Sequence, residues 1–386
     1  MRQPSWSITL SLCFALFGAQ TAIAQTYTIT DLGTLSGETL PFGGGSIGTA
    51  VNRAGQVTGN SLVAGPCLHN CMHAFLYSNG KMLDIGTLPG GNSSVGNSIN
   101  SGKEPEVVGY SEVAGGALHA FLWNGGQMLD LGTFSGRGDS VANAIDQFGD
   151  ITGNAQIAAG NFHAFLYRRG TMHDLGTLPG GTYSGGFGIN RVKEERTERS
   201  GGIEVVGYGD VPGDCTFHVS CPYHAFLYSQ GAMHDLGTLP GGFFSNATAI
   251  NQFGQITGSA DNSIGNFHAF LYEHGDIRDL GTLPNGFESF ATGMNKHAQI
   301  VGYGSVDSIN DFHAFVYRNG KMQDLNNLIP SNSGWFLGFA SGINDHGQIT
   351  GAGIINGEGH AFLLTPVCSD NSDQNGEDND HNGCER

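Results

Sequence analysis

The sequence predicts an all-β fold: a seven-bladed β-propeller with four antiparallel strands per blade, the last blade closed by the N-terminal strand. Three observations lead there. H-A-F recurs seven times, at His73, His119, His163, His224, His268, His313 and His360. D-L-G-T-L or a close variant also recurs seven times, at Asp31, Asp84, Asp130, Asp174, Asp235, Asp279 and Asp324. From Asp84 onward the spacing is 46, 44, 61, 44 and 45 residues, and a period of that size with four short apolar segments marks a propeller blade.

The ends settle how the ring closes. The first D-L-G-T-L has no H-A-F before it, and the last H-A-F has no D-L-G-T-L after it. Pairing residues 26–35 with His360–Leu364 completes a seventh blade and leaves no open sheet edge there. The expected blades are residues 45–88, 94–134, 140–178, 184–239, 245–283, 289–328, and 337–364 with 26–35, all within a propeller spanning 25–367.

Within a blade, the innermost strand comes first. Segments such as Gly48–Asn52 (GTAVN) and Ala247–Asn251 (ATAIN) are small-residue runs that suit seven strands crowding one axis. The third and fourth strands form a hairpin, because Asn79-Gly80 and its equivalents are residues that accept positive φ twice. In that register Phe75 faces Asp84 and His73 faces Gly86, with His73 diagonal to Asp84 and in reach of it. The seven His–Asp pairs are therefore expected to be structural, since outer positions of radial blades cannot converge on one ion. The L-P-G-G runs at Leu88–Gly91, Leu178–Gly181 and Leu239–Gly242 are turns between blades. They are expected to share a rim with the loops before each H-A-F.

The combined H-A-F-L-Y, D-L-G-T-L-P-G-G and I-N-x-x-G-x-I-x-G pattern, over roughly residues 26–365, resembles the HAF-repeat family of bacterial extracellular proteins. The resemblance implies a β-propeller-like repeat protein and export, and it carries over no catalytic residue.

The ends of the chain read differently from the body. Residues 1–24 have a charged start, an apolar run from Ile8 to Phe17 and Ala22-Ile23-Ala24, the pattern of a secretory signal peptide. No stretch is apolar enough to span a bilayer, so the chain is expected to be exported to the periplasm, cell surface or medium. Six cysteines then remain in three close pairs, Cys67/Cys71, Cys215/Cys221 and Cys368/Cys384, which suit disulfides in an oxidising compartment. The alternating Cys67, His69, Cys71 and His73 keep a metal site open as the competing reading.

The acidic tail, residues 368–386, places Asn371, Asp373 and Asn375, then Asp378, Asp380 and Asn382, each set followed by Gly, as calcium loops begin. The bidentate Glu that completes an EF-hand is missing, and an unfolded acidic tail is the competing reading. Calcium is the only cofactor the sequence suggests.

A net charge of −18 argues against nucleic acid as a partner. Gly44-Gly45-Ser46-Ile47-Gly48 matches a serine-hydrolase elbow, but without the strand–turn–helix setting that exposes the nucleophile. No catalytic residue is assigned. The expected role is a monomeric, non-enzymatic scaffold binding a glycan or protein through rim loops and the axial opening. The alternative is a hydrolase or lyase acting on an extracellular polymer at that opening. Non-repeated residues in the blade-to-blade turns are the candidates for the binding rim: Glu38, Asp139, Phe243, Phe244, Phe287, Glu288 and Trp335.

Overall fold

The computed structural model describes residues 26–37, 45–63, 71–193, 200–212 and 222–367. They form seven four-stranded antiparallel sheets, each strand bonded to the next in sequence. Blade 1 shows the pattern, with strands Ser46–Val51, Val57–Leu62, Met72–Ser78 and Lys81–Gly86. Blades 2 to 6 start at Ser94, Ser140, Ser184, Ser245 and Ser289. Blade 7 has Trp335–Ile343, Ile349–Ile355 and Glu358–Pro366, and takes Tyr27–Gly33 as its outermost strand. There Tyr27 pairs with Pro366 and Asp31 with Phe362, so the ring closes where the repeat count placed the seam. Among the described residues no helix is long and apolar enough to cross a membrane.

The repeated letters have identifiable mechanical roles. The Phe of every H-A-F is fully buried. Phe121 lies in one cluster with Leu76, Ile85 and Leu88 of the preceding blade, so the core consists of contacts between blades. A Gly opposite each Phe makes the space: a Cβ on Gly59 would lie 3.0 Å from the Phe75 ring and overlap the Ile47 carbonyl. Burying a Phe side chain contributes roughly 1.5–3 kcal/mol, and the repeat places seven of them.

The hairpin turns are as expected, with Asn79 at φ 51° and Gly80 at φ 77°. The register just beyond them is not. Phe75 faces Asp84, but Ala74, rather than His73, faces Gly86. Ile85 is the extra residue of a β-bulge, and Gly86 takes φ 78°. The bulge turns Ile85 inward, 8% exposed, into the core shared with blade 2. Strict alternation along the strand misses this, because a bulge spends one residue without a partner.

Blades are stapled by a serine that opens the innermost strand. Ser94 Oγ donates to the Gly86 carbonyl (2.6 Å) and accepts from the Ala74 N–H (2.8 Å), both in blade 1. Ser140, Ser184, Ser245 and Ser289 repeat the arrangement. Ser46 does the same across the seam, with Gly33 and Ala361. It is 2% exposed on a strand, so the G-x-S-x-G match is a blade staple and presents no nucleophile.

Candidate functional site

The histidines lie where scaffolding needs them. His73 Nδ1 is 3.0 and 2.9 Å from the two Asp84 carboxylate oxygens, and Asp84 Oδ1 also accepts the Gly86 N–H at 2.7 Å. His119–Asp130, His163–Asp174, His224–Asp235, His268–Asp279, His313–Asp324 and His360–Asp31 make the same contact. Burial pushes the Asp84 carboxyl up, but the hydrogen bonds from His73 and Gly86 outweigh it, and its pKa falls below the usual carboxylate value. In blades 1, 2, 4 and 7 the pair locks a β-bulge, and in blade 6 Asp324 instead caps a 3-10 turn, Leu325–Asn327. Among the described residues no three His, Cys, Asp or Glu side chains form a metal-binding group.

The two rims differ. On one, each L-P-G-G turn rests on the loop before the next blade's third strand: a Cβ on Gly90 would press on Ala114, and one on Gly180 on Pro212. These loops and turns do share a rim, termed here the loop rim. The opposite face, the turn rim, carries the turns after the innermost strands and the hairpin turns.

On the loop rim, among the described residues, aromatic rings form a chain that runs from blade 4 to blade 7. Tyr183 stacks on Tyr208 (5.6 Å), Tyr208 meets Tyr223 (5.2 Å), and Tyr223 meets Phe244 (4.9 Å). The chain runs on through Phe267 and Phe290 to Tyr303, which contacts Phe339 at 4.6 Å. Beside it stand exposed rings: Phe243 (53%), Phe287 (46%), Phe339 (44%) and Phe336 (38%). In the blade 1–2 turn, Asn92 and Ser93 occupy the positions of Phe243 and Phe244. Burial raises the pKa of Tyr183, and the hydroxyl contact with Tyr208 raises it further; burial and the nearby Glu288 carboxylate raise that of Tyr303. Both hydroxyls stay protonated donors at neutral pH.

The rim candidates sort accordingly. Phe243, Phe244, Phe287 and Glu288 belong to the arc. Asp139 does not: its Oδ1 accepts the Leu118 N–H at 2.9 Å, which makes it a blade 2–3 clamp. Trp335 was expected in a turn but opens a strand and packs edge-on against Phe362 and His360. Glu38 lies outside the described residues, as do Cys67, Cys215, Cys221, Cys368, Cys384 and the six tail positions from Asn371 to Asn382. Cys71 is disulfide-bonded and 7% exposed. Tyr183, Tyr208, Tyr223, Phe267, Phe290 and Tyr303 were not singled out by sequence; Tyr110 and Phe162 stand at the repeat positions of Tyr208 and Phe267 in blades 2 and 3, so the only available signal was that aromatics become denser at these positions from Tyr183 onward.

At the turn rim, the innermost strands end in buried amides. Asn52 Nδ2 donates to the Asn100 carbonyl, Asn251 to Asn295, Asn295 to Asn344, and Asn344 to Asn52. Asp146 replaces Asn in blade 3 and has nothing to donate. Its Oδ2 lacks a hydrogen-bond partner and lies 3.8 Å from Arg191 Nε. Arg191 reaches from blade 4 to pair with Asp150 and lies over the Phe148 ring at 4.1 Å. Burial raises the pKa of Asp146 despite backbone hydrogen bonds, and the Asp150 charge adds to the rise.

No protein-family profile matches the chain, and neither does any curated protein sequence. Similar solved structures include a gluconolactonase from Xanthomonas campestris, 13% identical over 69% of this chain and 91% of that one, with a TM-score of 0.36. A puromycin-hydrolysing peptidase from Mycobacterium tuberculosis is 10% identical over 82% of this chain and 53% of that one, TM-score 0.47. A Trypanosoma rangeli sialidase is 11% identical over 77% of this chain and 60% of that one, TM-score 0.37. None of these likenesses bears on activity.

Proposed function

We propose that this chain is an exported propeller, related to the HAF-repeat proteins, that binds an extracellular glycan along the aromatic arc of its loop rim. The observation that carries the reading is the break in symmetry: on the loop rim, among the described residues, the exposed rings Phe243, Phe287, Phe336 and Phe339 gather between blades 4 and 7. Exposed apolar surface gathered in one place marks a contact site. Aromatic faces stack on the C–H faces of sugars, while Tyr hydroxyls and Glu288 supply the few polar groups that fix orientation.

The enzymatic reading, a hydrolase or lyase, draws its one specific support from the carboxylates of Asp146 and Asp150 at the opposite mouth. Both are paired with or approached by Arg191 and almost wholly buried, a poor setting for attack on a polymer. Calcium in the tail and disulfides in the loops complete the proposal as supports of the scaffold.

A glycan array followed by calorimetry on the mature chain tests both readings together. Expected is saturable binding with no release of reducing ends, weakened about tenfold or more in Phe243→Ala/Phe287→Ala. Product release with turnover sinks the binding-only reading, and binding indifferent to the double substitution sinks the arc.

A further inference from the structure

The two rims differ in charge as well as in aromatics. Among the described residues, Lys and Arg gather at the turn rim: Arg53, Lys103 and Lys296 follow innermost strands, and Lys81, Arg169 and Lys321 lie in or beside hairpin turns. The loop rim holds Arg137, in the turn between blades 2 and 3, and no other Lys or Arg among the described residues. Residues 213–221, which lie outside them, contain none in sequence either. The aromatic arc therefore runs from Tyr183 to Phe339 without a Lys or Arg beside it on that rim.

Acids do stand beside it. Glu288 follows the exposed Phe287, and its carboxylate adds to the rise in the Tyr303 pKa that burial begins, which places it near that hydroxyl. Asp311 is exposed and precedes Phe312, whose ring meets Tyr303 edge-on at 5.6 Å. Its Oδ1 lies 3.6 Å from His313 Nε2, while Asp324 already holds His313 Nδ1 at 2.6 Å. Two carboxylates share this one imidazole, so the place keeps a net negative charge. The His313 ring in turn meets exposed Phe336 edge-on at 5.0 Å. Asp307, at the tip of the blade 6 hairpin where Val306 pairs with Ser308, is exposed as well.

The acid near Phe243 is spent on the backbone: Asp261 is buried and accepts the Phe243 and Phe244 N–H groups at 2.7 Å. Solvent-facing carboxylates are thus gathered at blade 6, among Phe287, Phe336 and Phe339. An anionic ligand laid on these rings is repelled. A neutral one covers the carboxylates without pairing them, which costs free energy. An ammonium gains twice, from the carboxylates and from the negative faces of the rings. Phe243 and Phe287 also hold the same repeat position one blade apart, so equivalent rings recur along the arc as equivalent units recur in a polymer.

We propose that the arc takes a glycan bearing free amines, of the chemistry of a glucosamine polymer, with pyranose faces on Phe287, Phe336 and Phe339 and ammonium groups at Glu288 and Asp311. This rests on the reading of the arc as a glycan site and names the class of glycan.

Calorimetry on the mature chain with a glucosamine oligosaccharide and its N-acetylated counterpart tests it. Expected is saturable binding of the amine form about tenfold tighter than that of the acetylated form. Added salt should narrow the gap, because exposed charges are screened. In Glu288→Gln/Asp311→Asn the amine form should fall to the affinity of the acetylated form, with the thermal midpoint and the acetylated form's own affinity unchanged. Equal binding of the two forms by the parent chain overturns this inference and leaves the arc standing, as does an amine preference that survives the double substitution. Oligolysine of equal charge displacing the amine form at equal affinity overturns the sugar assignment. Binding of neither form, nor of any neutral glycan, overturns the arc reading together with this one.

Discussion

Gly59 and Gly86 are both repeated glycines, and they are glycine for different reasons. A Cβ on Gly59 collides with backbone that cannot yield, the Ile47 carbonyl across the strand pair. A Cβ on Gly86 meets nothing within 4 Å, and only φ 78° opposes it. Gly86→Ala is expected to cost about 1 kcal/mol, the penalty for a side chain at positive φ. Gly59→Ala should cost several times more, because strand or Phe75 must move; equal midpoints in chemical denaturation would contradict the slot. The same residues explain an acid dependence. Asp84 has a depressed pKa in the fold, so its contribution is present above the unfolded value near 3.8 and is lost as pH falls through the folded value. Asp84→Asn should flatten the acid limb of a Tm-against-pH curve below about pH 4 and change its slope little at neutral pH. The His–Asp contact was legible in the sequence; its register was not, because the bulge at Ile85 leaves no mark beyond a Gly that also suits a turn.

At the scale of elements, hydrogen-bonded amides join four pairs of neighbouring inner strands, and the charged corner of blades 3 and 4 stands where another such link could form. Where Asn52, Asn251, Asn295 and Asn344 each donate to the next blade, Asp146 cannot, and Arg191 bridges the gap by way of Asp150 and Phe148. Because the Asp146 pKa is raised by burial, its charge weakens the fold as pH rises through that raised value, the opposite sign to Asp84. Asp146→Asn removes the buried charge and supplies the missing donor. It is expected to stabilise the chain at pH 7 by about 1 kcal/mol, the scale of one net hydrogen bond. A denaturation midpoint at or below that of the parent chain would show that Asp146 contributes more through Arg191 than it costs. Arg191 thus acts as a blade contact, and residues 194–199, next along this hairpin, lie outside the described residues.

For the whole molecule, closure is the decisive feature. Strand Tyr27–Gly33 buries Tyr27 and Leu32 and supplies Asp31 to His360. Deleting residues 26–33 leaves blade 7 with three strands and an open edge, the kind of surface that recruits other chains. A lower Tm and concentration-dependent association in sedimentation are expected; a monomer of unchanged Tm would mean that the seam is not needed. The repeat count, the turn chemistry and the alternation of each strand were set by local sequence, since period, positive-φ residues and facing pairs all act within about 45 residues. That is why blade number, seam and His–Asp partners could be read directly. The aromatic arc with its acidic flank and the amide links between blades depend on residues from different blades meeting across an interface. Their sequence separations say nothing about which face each ring or charge reaches, and only the closed ring brings them together.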